Sequence, residues 1–209
     1  MDRGTLVRHS LLAQSAGPPA AYRCFRTTDD LEAAVDPEEI CSELDRVRAD
    51  FRDLVDTATI AELRQPSDGT KWTNEQLLFH MLFGYLLVRN LRLLVRAFAR
   101  LPDGASRRFA ALLNAGTRPF HVVNYLGSLG GARVLGYSGM ERLMDRVITG
   151  LQKSLRRQSP ASLDQGMHFP LGWDPYFKEV MTLRDVYHYP TQHYDHHRRQ
   201  LTLASTRSD

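Results

Sequence analysis

Residues 182–203, TLRDVYHYPTQHYDHHRRQLTL, decide how this chain is read. Thr182 followed three residues later by Asp185 has the form of a capping box, which opens a helix by satisfying backbone N–H groups from both side chains. Behind it Leu183, Val186, Tyr187, Pro190, His193 or Tyr194, His197 and Leu201 recur at helical spacing, so one apolar face carries histidines. Residues four apart stand about one turn apart, and the imidazoles of His193 and His197 can therefore close on one ion. His196 has the i, i+3 spacing to His193 and could also ligate, but it falls off the stripe, as do His188, Asp195, Arg198 and Arg199. Pro190 removes one helical hydrogen bond and is expected to kink the helix just ahead of the pair.

Three further segments carry helix signatures. Asp36-Pro37-Glu38-Glu39 supplies an N-cap, a proline where its missing N–H costs nothing, and acids at the positive end of the dipole. Ile40, Leu44, Val47, Phe51, Leu54 and Ala58 follow as its inward face. Thr73 with Gln76 opens a second helix running to about Arg100, and its stripe Leu77, His80, Gly84, Leu91 and Val95 turns His80 inward. A glycine inside a helix costs about 1 kcal/mol relative to alanine; Gly84 is expected to leave room beside His80. Ser138 with Glu141 opens a third helix, Met140, Leu143, Met144, Val147, Ile148, Leu151 and Leu155 being its core face, and Ser159-Pro160 ends it.

No strand-like alternation of useful length is present. The pattern predicts an all-α fold: a four-helix bundle over residues 29–205, with an extra helical or irregular segment between helices 2 and 3. That segment, 102–137, reads as short helices at 107–113 and 120–135, broken by Asn114-Ala115-Gly116-Thr117 and loosened by Gly127, Gly130 and Gly131. It is expected to pack on the bundle as an irregular insertion, with a substrate-binding lid as the alternative. Residues 1–28, with Ser15, Gly17, Pro18 and Pro19, read as an extended or partly disordered lead-in.

The totals exclude several classes. At 209 residues, 43% hydrophobic and 24% charged, the chain has the length and composition of one soluble globular domain, not of a fibre or a wholly disordered protein. A net charge of +3 is spread along the chain without an RNP-like, zinc-finger or basic-helix signature, so no nucleic-acid partner is expected. Cys24 and Cys41 are too few for a disulfide framework, wrongly spaced for a cysteine zinc site, and lack a local histidine to make a thiol nucleophile. Leu11-Leu12-Ala13 is too short for a signal core. The most apolar window, Leu77 to Val88, falls short of the roughly 20 residues that span a bilayer, and Arg89, Arg92 and Arg96 follow it. The expectation is a cytoplasmic protein with no membrane partner.

Two imidazoles on a core stripe need partners to offset their desolvation, and a metal ion supplies one for both. Adding the inward His80 gives three ligands, the number that leaves an open position at catalytic zinc, whereas structural zinc usually takes four. Neutral imidazole suits Zn²⁺ and Ni²⁺ alike. A water or thiol in the open position would lose its proton near neutral pH, from which hydrolysis and thiol transfer both follow. His168, Asp174 and Tyr189 are candidate catalytic helpers, while His121 and His188 read as packing or surface residues. The alternative is a non-enzymatic bundle, a binding or stress-associated protein in which metal stabilises the fold.

Two motifs now stand together: Lys71-Trp72-Thr73 ahead of His80, and His193-x-x-x-His197-Arg198-x-Gln200 in the last helix. They resemble the DinB-like (DinB/YfiT-like) metalloenzyme superfamily, across roughly residues 36–203. The resemblance implies a three-histidine site on a four-helix bundle and selects His197 over His196. It also implies a small-molecule substrate, a homodimer and a low-molecular-weight thiol cosubstrate, because several members are similar to S-transferases that use bacillithiol, mycothiol or glutathione, and one branch includes thiol-dependent isomerases. The Arg-rich composition, that of a GC-rich coding genome, favours mycothiol among these. Pro190, Arg199 and the long 102–137 segment depart from the family pattern and leave the substrate open.

Overall fold

Asp36 acts as its position predicts: its carboxylate accepts from the Glu38 N–H at 2.7 Å, Pro37 takes the first turn, and α1 (Pro37–Thr57) begins. A computed structural model describes residues 35–204, so the expected lead-in at 1–28 and Cys24 lie outside the described residues. After α1 comes a single turn, α2 (Ile60–Leu63), opened by a Thr59–Glu62 capping box. The Thr73–Gln76 box then starts α3 (Asn74–Phe98). Next are α4 (Asp103–Ala115), α5 (Thr117–Leu155) and α6 (Pro160–Leu163), the last N-capped by Ser159. A small antiparallel hairpin, β1 (Gly166–His168) and β2 (Val180–Thr182), pairs Met167 with Met181. The Thr182–Asp185 box opens α7 (Leu183–Arg198), which continues through Pro190.

The four long helices share one core: α3 packs on α5 and α7, and α1 packs on α5 and α7. Cross-links fix their directions. Arg46 pairs with Asp195 and Arg198 with Asp50, so α1 and α7 run parallel. Arg52 bonds Glu141, and Gln152 donates to the Cys41 carbonyl, so α5 runs against α1. Tyr85 meets Thr191, and Arg92 and Tyr187 meet at Ser154, so α3 runs against α7. The predicted inward residues Leu44, Phe51, Leu77, Ile148 and Val186 are all fully buried. The fold is all-α apart from the hairpin, whose three-residue strands are too short to show an alternation in sequence.

The expected start of the third helix at Ser138 is displaced. The break falls at Gly136, whose φ of 59° and ψ of 179° lie in a region only glycine enters readily, and Glu141 serves Arg52 instead of a cap. Segment 102–137 is likewise not irregular: α4 and the first half of α5 are continuous helices. Packing overrides the glycine signal there. A Cβ on Gly131 would stand 2.0 Å from Phe79 Cζ, so the missing side chain is the seat of the Phe79 ring. One helix, α3, is long and apolar enough to cross a membrane by length and composition, but 56% of its qualifying window is buried inside the protein, as in a core helix.

Gly131→Ala should therefore destabilise the protein by about 1–3 kcal/mol through overpacking. Gly130→Ala, where an added Cβ meets nothing within 4 Å, should stabilise it by up to about 1 kcal/mol. Urea denaturation of the two single variants distinguishes them; equal midpoints would remove the packing argument.

Candidate metal centre

Because α3 and α7 are antiparallel, His80 near the start of one faces His193 and His197 near the end of the other. The His80 ring centroid lies 4.9 Å from that of His193 and 4.8 Å from that of His197, and the latter two are 4.5 Å apart. One ring nitrogen from each residue lies within 4.8 Å of the other two. His80 and His193 are buried and His197 is half-buried. Gly84 allows the approach, though not in the way expected: its missing Cβ would come 3.1 Å from Cδ2 of His193, so the room it leaves is for His193, not His80.

Two of the three rings have a neighbour that holds the outward nitrogen. His193 Nδ1 donates to Asp174 Oδ2 at 2.9 Å, and the same oxygen accepts the Tyr189 hydroxyl at 2.8 Å. Asp174 Oδ1 accepts the Tyr176 N–H, so the carboxylate is fixed by its own turn. His197 Nδ1 donates to Gln200 Oε1 at 2.6 Å. Gln200 is in turn held by its carbonyl, which accepts the Asp68 N–H. The fully buried Asn74 secures the same strap by bonding Thr202 N–H, Thr202 Oγ1 and the Glu62 carbonyl. For His80, the Asn124 amide is the interacting side chain, and the atoms that would pair, His80 Nδ1 and Asn124 Oδ1, are both buried without a completed bond. Trp72 stacks on His80 at 4.3 Å.

This arrangement fits a cation. With acceptors at Nδ1 of His193 and His197, the Nε2 lone pairs of these two rings are left for an ion, and His193 Nε2 is buried with no hydrogen-bond partner. An unsatisfied buried polar atom is costly unless something fills the gap. Burial, reinforced by His193 and His197, pushes the His80 pKa down to about 2; burial, with His193 and His196, pushes His197 down to about 4. Both rings are therefore neutral at pH 7 and have no proton to displace. Burial would raise the Asp174 carboxyl, but His193, the Tyr176 N–H and the Tyr189 hydroxyl together hold it below the usual carboxylate range. Burial and then Asp174 push the Tyr189 hydroxyl well above its ordinary value, leaving it a donor.

Of the three sequence-named helpers, the structure brings Asp174 and Tyr189 to the cluster and not His168. His168 sits on β1 against α4, its Nδ1 3.0 Å from Ser106 Oγ and 3.6 Å from Asp103. His196 lies beside His197 at 4.9 Å and against Tyr176, outside the group of three. His188 pairs with Glu43 and His121 is exposed.

A small cleft opens beside His80 and His193. Its walls include Phe83 on α3, Phe120 and Asn124 on α5, and Trp173, Asp174 and Phe177 on the β1–β2 connection. Trp173 stacks on Phe120 at 3.9 Å and 9° and donates its indole N–H to the Leu113 carbonyl.

The sequence pattern of the DinB superfamily matches residues 43–201. The chain belongs to the DinB superfamily. No curated protein and no solved structure matches it. In this DinB-superfamily chain the matched span contains all three imidazoles together with Asp174, Gln200 and Asn124. Asn124, Phe120 and Trp173 are the contributions that sequence reasoning missed; Asn124 sits seven residues before Gly131 on a helix masked by glycines.

The shifted histidines set a pH dependence. Unfolded histidine binds its proton near pH 6.5, whereas folded His197 and His80 resist protonation down to about 4 and about 2. The unfolded state therefore holds more protons below pH 6.5, and stability of the metal-free protein should fall as pH drops through that window. In urea titrations with chelator between pH 7.5 and 4.5, His80→Phe should show a shallower fall than the parent. Parallel curves would contradict this.

Proposed function

We propose that the chain is a metal-dependent enzyme in which His80, His193 and His197 hold one divalent ion, Zn²⁺ or Ni²⁺. It acts on a small-molecule substrate by hydrolysis or by S-transfer from a low-molecular-weight thiol of the mycothiol type. The observation that carries this reading is the convergence of the three rings: one nitrogen of each lies within 4.8 Å of the others, and in His193 and His197 the Nδ1 is held by an acceptor, Asp174 and Gln200. A divalent ion bound there acts as a Lewis acid and lowers the pKa of a water or thiol beside it, making a nucleophile available near neutral pH.

The protein's own groups do the rest. Asp174 keeps the His193 proton on Nδ1 and makes the ring a stronger donor of its remaining lone pair, and Gln200 does the same for His197. Trp72 covers one face of His80, and the aromatic walls of the pocket keep water from the other side. Three nitrogen ligands suit an exchangeable or catalytic ion better than a structural one, which takes four. Cys41, the cysteine among the described residues, lies in the core on α1 and does not join the group.

Elemental analysis of gently purified protein should find about one Zn or Ni per chain, and His80→Ala should abolish uptake while helicity is retained. Asp174→Asn should weaken metal affinity by about 10- to 100-fold, read by competition with a chromophoric chelator. An activated electrophile offered with and without a thiol then divides the reactions: thiol-dependent turnover marks the transferase, thiol-independent turnover the hydrolase. Stoichiometric metal with neither activity would favour a non-enzymatic, metal-stabilised protein.

A further inference from the structure

Two enclosed polar atoms beside the cluster lack a partner: Nδ1 of His80 and Oδ1 of Asn124. A carboxamide oxygen only accepts, whereas an imidazole nitrogen donates or accepts according to its tautomer. Asn124 is the side chain whose hydrogen bonding His80 feels, and both residues border the same cleft. A proton on Nδ1 therefore answers both atoms at once, and leaving either unbonded in the interior is costly. The Trp72 indole N–H is a third enclosed donor without a partner. Its ring lies stacked on the face of His80, with centroids 4.3 Å apart and planes 27° apart, so that N–H runs alongside the imidazole instead of into it.

Helix packing sets where Asn124 stands. Asn124, Ser128 and Gly131 follow at i, i+4 and i+7 and share the inward face of α5. Ser128 is 1% exposed, and Gly131 seats the ring of Phe79, the residue before His80. The first half of α5 is thus locked against α3 in the register that brings Asn124 to His80. The other two rings already have an acceptor at Nδ1, Asp174 for His193 and Gln200 for His197, and His80 is the ring without one.

We propose that Asn124 is the positioning residue of His80: its Oδ1 accepts the Nδ1 proton, leaves the Nε2 lone pair for the ion, and so ties the first half of α5 to occupancy of the centre. The ion is taken from the metal-enzyme reading above; the residue is assigned by the two unpartnered atoms. Proton and lone pair sit on opposite nitrogens of one neutral ring. Whatever holds the proton on Nδ1 favours the ion, and by linkage the ion favours the bond to Asn124 to the same extent. Segment 102–137 then reports on the centre through one side chain.

The test uses the full-length protein, metal-free and loaded with Zn²⁺. Asn124→Ala should weaken Zn²⁺ binding about tenfold or more in competition with a chromophoric chelator, whereas Asn124→Asp, which keeps an acceptor, should stay within about threefold of the parent. Imidazole ¹⁵N NMR of the zinc-loaded parent should show His80 protonated on Nδ1; this is read without any variant, so it decides even where the alanine form does not fold. Amide hydrogen exchange across 117–135 should slow on zinc loading in the parent and not in Asn124→Ala. Parent-like affinity in a folded Asn124→Ala, a zinc-loaded His80 with its proton on Nε2, or a loss of affinity in Trp72→Phe in place of Asn124→Ala overturns the proposal while the metal centre stands. A parent that takes up neither Zn²⁺ nor Ni²⁺ removes the metal-enzyme reading and the proposal together.

Discussion

The contact on which the rest of the site depends is the one between Gly84 of α3 and the His193 ring of α7. A Cβ at position 84 would crowd that ring at 3.1 Å, so a larger residue must displace the His193 ring where the imidazoles meet. Glycine within a helix costs about 1 kcal/mol in propensity. Here the loss is offset by the burial that surrounds it: Leu77, Leu78, Met81, Leu82, Tyr85 and Val88 on α3 are all fully buried. A helix with that much apolar area against its neighbours tolerates one weak residue, and the weak residue is placed where close approach matters.

Three imidazoles in one buried place are unfavourable by themselves, and the surrounding chain makes them tolerable by giving each a different partner. Asp174 comes from the connection within the hairpin, Gln200 from the strap after α7, and Asn124 from α5. Two of these partners are themselves held, Asp174 by its own turn and Tyr189, Gln200 by Asp68. The burial that makes His80 and His197 resist protonation also makes an unpartnered nitrogen costly, as at His80 Nδ1 and His193 Nε2. Orientation and protonation thus draw on one arrangement: the burial that fixes the rings also keeps His80 and His197 neutral at pH 7.

Much of this was legible in the sequence, for physical reasons that differ by residue. Asp36, Thr73 and Thr182 announce their helices because capping is local and needs only three or four residues. The pairing of His80 with His193 and His197 follows from the stripes, since all three occupy core positions on long periodic helices. The roles of Arg198 and Gln200 in the motif were invisible. Arg198 turns to Asp50, which also accepts the Tyr194 hydroxyl, a contact of packing across 148 residues, and Gln200 turns back to His197 three residues before it once the helix has ended. Segment 102–137 misled because Gly127, Gly130, Gly131 and Gly136 look alike in sequence but do different things. Gly131 seats Phe79, Gly136 breaks the helix, and Gly127 and Gly130 face open space.

The break at Gly136 explains how one helix serves two ends of the molecule. Beyond it, α5 presents Met140, Met144, Ile148, Leu151 and Leu155 to the core and is tied to α1 through Arg52 and Gln152. Before it, the same helix presents Phe120 and Asn124 to the pocket and is held down by Phe79 at Gly131. A straight helix keeps one face toward one neighbour over its whole length, so it could not satisfy both surfaces. The change of direction at a residue free to take φ of 59° lets the first half lean over the histidines while the second stays in register with the core. The wall of the pocket is therefore an extension of the framework, and the segment hardest to read in the sequence is the one that gives the cluster its enclosed side.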